Sequence, residues 1–119
     1  MLRYADILEV VEAFYAIAKK DVMIGYHFRV IENFDEHIPR IADFWHLQLN
    51  GAVQNKSNLP FKLLEVHIPL KVRKGEIYRW EKLFNENLER FEKISKDDKE
   101  IWRIKIIHFR DILIQKLLV

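Results

Sequence analysis

Two of the five histidines lie where an imidazole could bind a metal or a polar ligand. His67 is at the centre of the short apolar segment 63–70, and Pro69 limits any helix that continues through it. His37 falls on the inward stripe of a predicted helix. A neutral imidazole can ligate a metal, and its second ring nitrogen can make a hydrogen bond. Because a lone histidine beside a helix is usually structural, a ligand role needs support from other residues.

The other three histidines are predicted to be ordinary. His46 follows Trp45 and is expected at the solvent or at the helix rim. His108 lies in the last predicted helix and is expected to pack or to extend to the surface, and His27 is assigned no role.

Three polar side chains are predicted on the inner stripes of three different helices: Tyr15, His37 and Trp80. Each carries a donor that is costly to bury without a partner, and three such groups exceed what an ordinary core usually holds. One interpretation is a satisfied buried polar cluster. The other is a site in which these groups face a bound ligand.

A haem site would account for these residues together. It needs one axial histidine in an apolar wall, a flat slot lined by aromatic and aliphatic side chains, and one or two polar groups on the opposite face. His67 could be the axial ligand, and Tyr15, His37 and Trp80 could supply the polar groups. The residues that could line the slot are Phe28, Ile41, Phe44 and Leu63.

The elements that position these residues are predicted to be helices. Apolar residues recur at steps of three and four over residues 6–19, with Asp6 as a plausible N-cap, and over 76–94. Residues 21–31 form a short helix or turn in which Tyr26 and Phe28 face inward.

Turn signals predict where the remaining helices begin. A helix over 33–49 starts near Asp35 or Glu36, because Pro39 is tolerated only close to a helix start. The polar stretch 50–58 is a loop, and Ser95 or Asp97 caps the last helix.

Composition predicts one soluble, cytoplasmic, all-α domain over residues 1–119. With only 3 Gly and 3 Pro, long helices are favoured over a fold with many turns, and the lack of cysteine excludes disulfides and thiolate catalysis. A net charge of +2, with both signs interspersed, indicates no nucleic-acid partner. Arg3, Asp6 and Glu9 interrupt the first apolar run, so no signal peptide is expected. No apolar stretch reaches about 20 residues, so no membrane partner is expected.

Four short motifs occur in order along the chain. They are Phe14-Tyr15 followed by Asp21 and Phe28, His37-Ile38-Pro39 followed by Phe44-Trp45, His67-Ile68-Pro69-Leu70, and the block 78–84 around Trp80. In these motifs and their spacing, the chain resembles the truncated haemoglobins over about residues 11–84, and most closely their third group. Phe34 and Glu81 depart from that pattern, which usually has tryptophan and leucine there.

The resemblance implies a truncated-globin helical sandwich around haem b. His67 would be the proximal ligand of a five-coordinate iron, and Tyr15 and Trp80 would hydrogen-bond a diatomic ligand. His37, in a helix start weakened by Pro39, could swing and control access. The implied partners are O₂, NO or CO and an unidentified reductase, and the expected state is a monomer or weak dimer.

Three functions remain open at this point. The first is a haem protein that binds O₂, with NO and CO as further ligands. The second is a haem enzyme for NO dioxygenation or peroxide chemistry, in which His37 or Tyr15 helps to cleave the O–O bond. The third is a haem-free helical module that binds a protein partner.

Overall fold

Five α-helices form the described part of the chain. The computed structural model describes residues 2–31, 33–51 and 72–117, and no strand occurs among them. Leu63, His67 and most of the predicted loop over 50–58 lie outside these residues. The helices are α1 (Tyr4–Ala18), α2 (Gly25–Arg29), α3 (Phe34–Asn50), α4 (Lys74–Glu89) and α5 (Lys96–Leu117).

Helix α1 packs against α2, α3 and α4. Its apolar stripe, which includes Val10 and Phe14, is fully buried. The prediction of Asp6 as the N-cap is wrong, because the cap position is Arg3 and Asp6 lies inside the first turn. There the Asp6 carboxylate accepts two hydrogen bonds from the Arg3 guanidinium, both 3.2 Å long.

Helix α2 is a single short turn set against the end of α1. Gly25 is required at its start, because a Cβ there would lie 2.9 Å from the Lys19 carbonyl oxygen. Phe28 packs against the core as predicted. Tyr26 was predicted to face inward, and this is wrong: its ring is exposed. Its hydroxyl donates a hydrogen bond to Glu76, which holds the ring at the surface.

Helix α3 begins one residue before the predicted start and runs through Pro39. The Asn33 side chain caps it by accepting a hydrogen bond from the Glu36 backbone N–H at 3.2 Å. It ends at Gly51, whose left-handed backbone (φ 72°) suits glycine and whose N–H donates to the Leu47 carbonyl at 2.8 Å.

Helices α4 and α5 pack against each other, and α5 also contacts α3. α4 ends at Glu89, before the predicted end at Ile94, because residues 90–95 turn the chain. Ser95 caps α5 as predicted, since its hydroxyl accepts a hydrogen bond from the Asp98 backbone N–H at 3.1 Å. Trp102 on α5 is fully buried, with its ring centroid 5.7 Å from that of Trp45.

Among the helices of residues 2–31, 33–51 and 72–117, none is long and apolar enough to cross a membrane.

Candidate ligand pocket

The described helices enclose a small cavity with an aromatic wall. Its free volume is about 70 Å³, and every one of the five helices contributes to its lining. The lining residues are Val11, Phe14, Tyr15, Phe28, Ile41, Phe44, Trp45, Trp80, Phe84, Phe109 and Leu113.

Most of the residues predicted for the site meet at this cavity. Tyr15, Phe28, Ile41, Phe44 and Trp80 all line it. His37 adjoins it through a hydrogen bond to the Tyr15 side chain. The other two predicted residues, Leu63 and His67, are outside the described part of the chain, so their positions stay predictions.

Among the residues that line the cavity, Tyr15 is the one with a hydroxyl group. Its ring is buried and meets that of Phe28 edge to face, with centroids 5.2 Å apart. Its hydroxyl oxygen lies 3.0 Å from His37 Nε2. Burial raises the pKa of the phenol well above its ordinary value, so the hydroxyl keeps its proton throughout the neutral range.

That hydroxyl has only one hydrogen to donate. When it donates to a neutral His37, the same hydrogen is not free for a ligand in the cavity. A His37 that carries a hydrogen on Nε2, as the neutral Nε2–H tautomer or in the protonated form, would instead donate to the Tyr15 oxygen and leave the hydroxyl hydrogen free. The pair is therefore a switchable donor in a small, largely apolar space.

Trp80, like Trp45, lines the cavity and carries an indole N–H donor. Its ring is half-buried and packs edge to face on Phe14, with centroids 6.5 Å apart. The neighbouring Arg79 forms an ion pair with Asp21 of the α1–α2 turn at 2.6 Å. The hydrogen bond from Arg79 holds the pKa of the Asp21 carboxyl below its usual value.

Sequence reasoning missed a polar cluster on the outer side of α2 and α4. The buried Glu76 carboxylate accepts hydrogen bonds from the Tyr26 hydroxyl and from the Arg73 backbone N–H (2.8 Å), and lies 3.2 Å from His27 Nε2. Burial alone would raise the pKa of Glu76, but these hydrogen bonds lower it. Only its place in the first turn of a helix could have drawn attention to Glu76.

Two of the remaining histidine predictions can also be compared with the structure. His46 was expected at the solvent or the helix rim, and this is wrong, because only 5% of it is exposed. Its ring lies 6.2 Å from that of Tyr4, so it fills space between α3 and the start of α1. His108 is exposed and rests its ring against Phe109, in agreement with the prediction.

Several lining residues were also absent from the predicted site. They are Phe14, Trp45, Phe84, Phe109 and Leu113. All but Trp45 lie on the apolar stripes of their helices, and Trp45 lies beside one. Periodicity identified them as core residues. It could not tell which core residues border a cavity, because that depends on how the helices cross.

The packing of these helices defines the class of fold. The structure is similar to the crystal structure of a group III truncated haemoglobin from Campylobacter jejuni, with a TM-score of 0.73. The match covers 95% of this chain and 92% of that chain at 24% sequence identity. The chain therefore has the all-α truncated-globin fold, as predicted. No model of a known protein family and no curated protein matches the sequence.

The lining fits a haem in its chemistry, since aromatic and aliphatic side chains surround a few donors. The free volume of the cavity is smaller than a haem macrocycle needs. About 70 Å³ is room for a diatomic molecule but lies far below the several hundred Å³ of a typical cofactor site. The predicted opposite side of the haem slot, with Leu63 and His67, lies outside the described residues.

Proposed function

We propose that the chain is a haem-binding truncated globin of the third group that binds O₂, with NO and CO as further ligands. The observation that carries the proposal is the convergence of Tyr15 and Trp80, two donors from different helices, on one small aromatic cavity. The fold similarity and the four sequence motifs support it independently.

Haem b would supply a five-coordinate iron with one site free for a diatomic gas. His67 would hold the iron from the proximal side, and Leu63 would be part of the wall. Phe28, Ile41 and Phe44 would pack against the macrocycle and exclude water from the ligand side. A dry, apolar surrounding strengthens each remaining hydrogen bond inside the pocket.

Tyr15 and Trp80 would orient and retain the ligand. A bound O₂ would carry partial negative charge, so the Tyr15 O–H and the Trp80 N–H would stabilise it, each by about 1–2 kcal/mol net. His37 would compete for the Tyr15 hydrogen through the 3.0 Å contact, and it would open or close the pocket if its side chain moved. The ligand affinity would therefore depend on which partner the Tyr15 hydroxyl faces.

The test is a titration of purified apoprotein with haem, followed by absorption and resonance Raman spectroscopy. We expect a saturable Soret band at one haem per chain and a proximal Fe–N(His) stretch in the reduced form. The His67→Gly variant should lose that stretch and regain it with added imidazole. His108→Gly, which changes an exposed histidine, should behave as the unmodified protein.

A chain that takes up no haem would contradict the proposal and favour the haem-free binding module. Uptake of haem by His67→Gly with an unchanged Fe–N stretch and no imidazole would contradict the assignment of the proximal ligand alone.

A haem enzyme is the second candidate, and the Tyr15–His37 contact favours it. A phenol and an imidazole 3.0 Å apart can pass a proton, which peroxide cleavage requires. NO dioxygenation would in addition need an external reductase. Peroxide turnover that His37→Leu abolishes without loss of haem would support the enzyme. Equal, slow turnover by both proteins would favour ligand binding.

A further inference from the structure

We propose that the turn between α1 and α2 binds peripherally to an anionic lipid surface. We call the exposed surface of this turn and its neighbouring residues the turn patch. Its apolar part consists of Val22, Met23 and Tyr26. Their exposed fractions are 98%, 43% and 47%. An aliphatic side chain as exposed as that of Val22 projects into the solvent and makes almost no contact with its own protein. This proposal is independent of haem binding.

Hydrogen bonds hold the turn in this shape. The Asp21 carboxylate accepts from the backbone N–H groups of Met23 (3.0 Å) and Ile24 (3.1 Å), and the Gly25 N–H donates to the Asp21 carbonyl (3.0 Å). Arg79 of α4 anchors the same carboxylate. Val22 is therefore exposed because the fold places it there.

Exposed basic residues flank the turn. Lys74 adjoins Gly75, against which the end of the Met23 side chain rests. The exposed basic residues of the patch are Lys19, Lys20, Arg29, Arg73 and Lys74. In residues 2–31, 33–51 and 72–117, no ion pair within 4 Å joins any of these five to a carboxylate.

The acidic groups of the patch are already occupied inside the fold. Asp21 is paired with Arg79, and the buried Glu76 accepts hydrogen bonds from Tyr26 and its neighbours. The outward charge of the patch is therefore positive, although the whole chain carries a net charge of only +2. This distribution complements an anionic surface.

A lipid bilayer fits this surface better than a protein does. A projecting side chain such as Val22 can enter the boundary between headgroups and acyl chains, whereas a protein partner would need a matching cavity. Tyrosine is amphipathic and favours that boundary, and basic residues beside it are attracted to anionic headgroups. The expectation of no membrane partner rested on the lack of a spanning segment, which peripheral binding does not need.

The experiment is co-sedimentation of the full chain, with and without haem, with vesicles of two compositions. One contains phosphatidylcholine alone, and the other an equimolar mixture of phosphatidylcholine and phosphatidylglycerol. We expect binding to the mixed vesicles only, and weaker binding at high salt. Lys20→Gln should lower the partition coefficient roughly five-fold. Val22→Asp should lower it at least about ten-fold.

Ile101→Asp is the matched control, because Ile101 is an exposed aliphatic residue on another face (46% exposed). Ile101 lies near Arg103, which pairs with Glu89 at the C-terminal end of α4. Lys74 of the turn patch lies at the other end of that helix, about 20 Å from Glu89. The control should bind as the unmodified protein does. Absence of binding to the mixed vesicles would overturn the proposal, and an acidic protein would then be the partner to test for the turn patch. Equal loss in Val22→Asp and Ile101→Asp would overturn it as well.

Discussion

Replacing Tyr15 by phenylalanine and His37 by leucine should change the O₂ affinity in opposite directions. The Tyr15 hydroxyl has one hydrogen, and its oxygen lies 3.0 Å from His37 Nε2. When His37 Nε2 carries no hydrogen, the hydroxyl donates to it and must leave it to donate to a ligand in the cavity. Tyr15→Phe removes the donor, whereas His37→Leu removes only the competitor.

The size of each effect follows from the net value of a hydrogen bond. Losing the bond from Tyr15 to the ligand costs about 1–2 kcal/mol, which corresponds to a five- to thirty-fold weaker affinity for O₂. Removing the competing bond to His37 makes ligand binding more favourable by about 1 kcal/mol, or roughly five-fold. Titration of the phenol does not interfere near neutral pH, because burial raises its pKa.

Stopped-flow measurement of O₂ association and dissociation in the haem-loaded variants provides both affinities. Carbon monoxide is a poorer hydrogen-bond acceptor and should respond much less. Tyr4→Phe is the matched control, because Tyr4 lies on the same helix and outside the cavity lining. A change in the same direction in both variants would refute the competition, and unchanged rates in both would remove the pair from the ligand site.

Four further predictions test the site and the fold. His67→Gly should lose the proximal Fe–N stretch and recover it with imidazole; a retained stretch would contradict the assignment. Trp45→Ala should lower the free energy of unfolding by about 3–5 kcal/mol, because its ring is buried between α3 and α5; an unchanged urea midpoint would contradict the packing. Trp80→Phe should speed O₂ release about five- to thirty-fold, and its combination with Tyr15→Phe should be non-additive because both donors share one ligand. The pKa of Asp21 is lowered, so its ionised form stabilises the fold above the ordinary carboxyl range, and this stability is lost as the pH falls through the lowered pKa. Asp21→Asn should therefore weaken the acid dependence of the urea midpoint, and an identical acid dependence would exclude this pair as its source.

Helical periodicity was sufficient to predict most of the fold. Apolar residues recur at steps of three and four along α5, and two of them, Trp102 and Ile106, are fully buried. The ends of helices were harder to predict, because several residues can cap the same turn. Asp6 was a reasonable N-cap by type, but the chain already becomes helical at Tyr4, and Asp6 pairs with Arg3 instead.

Helical periodicity also predicted many residues of the pocket lining. Tyr15, Phe28, Ile41, Phe44 and Trp80 lie on inward faces, and inward faces of packed helices meet. Whether a cavity remains between them depends on crossing angles, which a single sequence does not contain.

Polar contacts between distant residues could not be predicted. Tyr26 resembles a core residue by type, yet its hydroxyl bonds to Glu76, fifty positions along the chain. His46 resembles a surface residue by type, yet it is buried near Tyr4. Both errors arise because the deciding partner lies far away in sequence.

These distant contacts also orient the pocket. His27, next to Phe28, lies 3.2 Å from Glu76, and Arg79, next to Trp80, pairs with Asp21. Successive residues on a helix point about 100° apart, so an anchor on one residue fixes the direction of the next. The two outer contacts therefore resist rotation of α2 and α4 about their axes. They keep the rings of Phe28 and Trp80 in the cavity lining without taking part in ligand contact themselves.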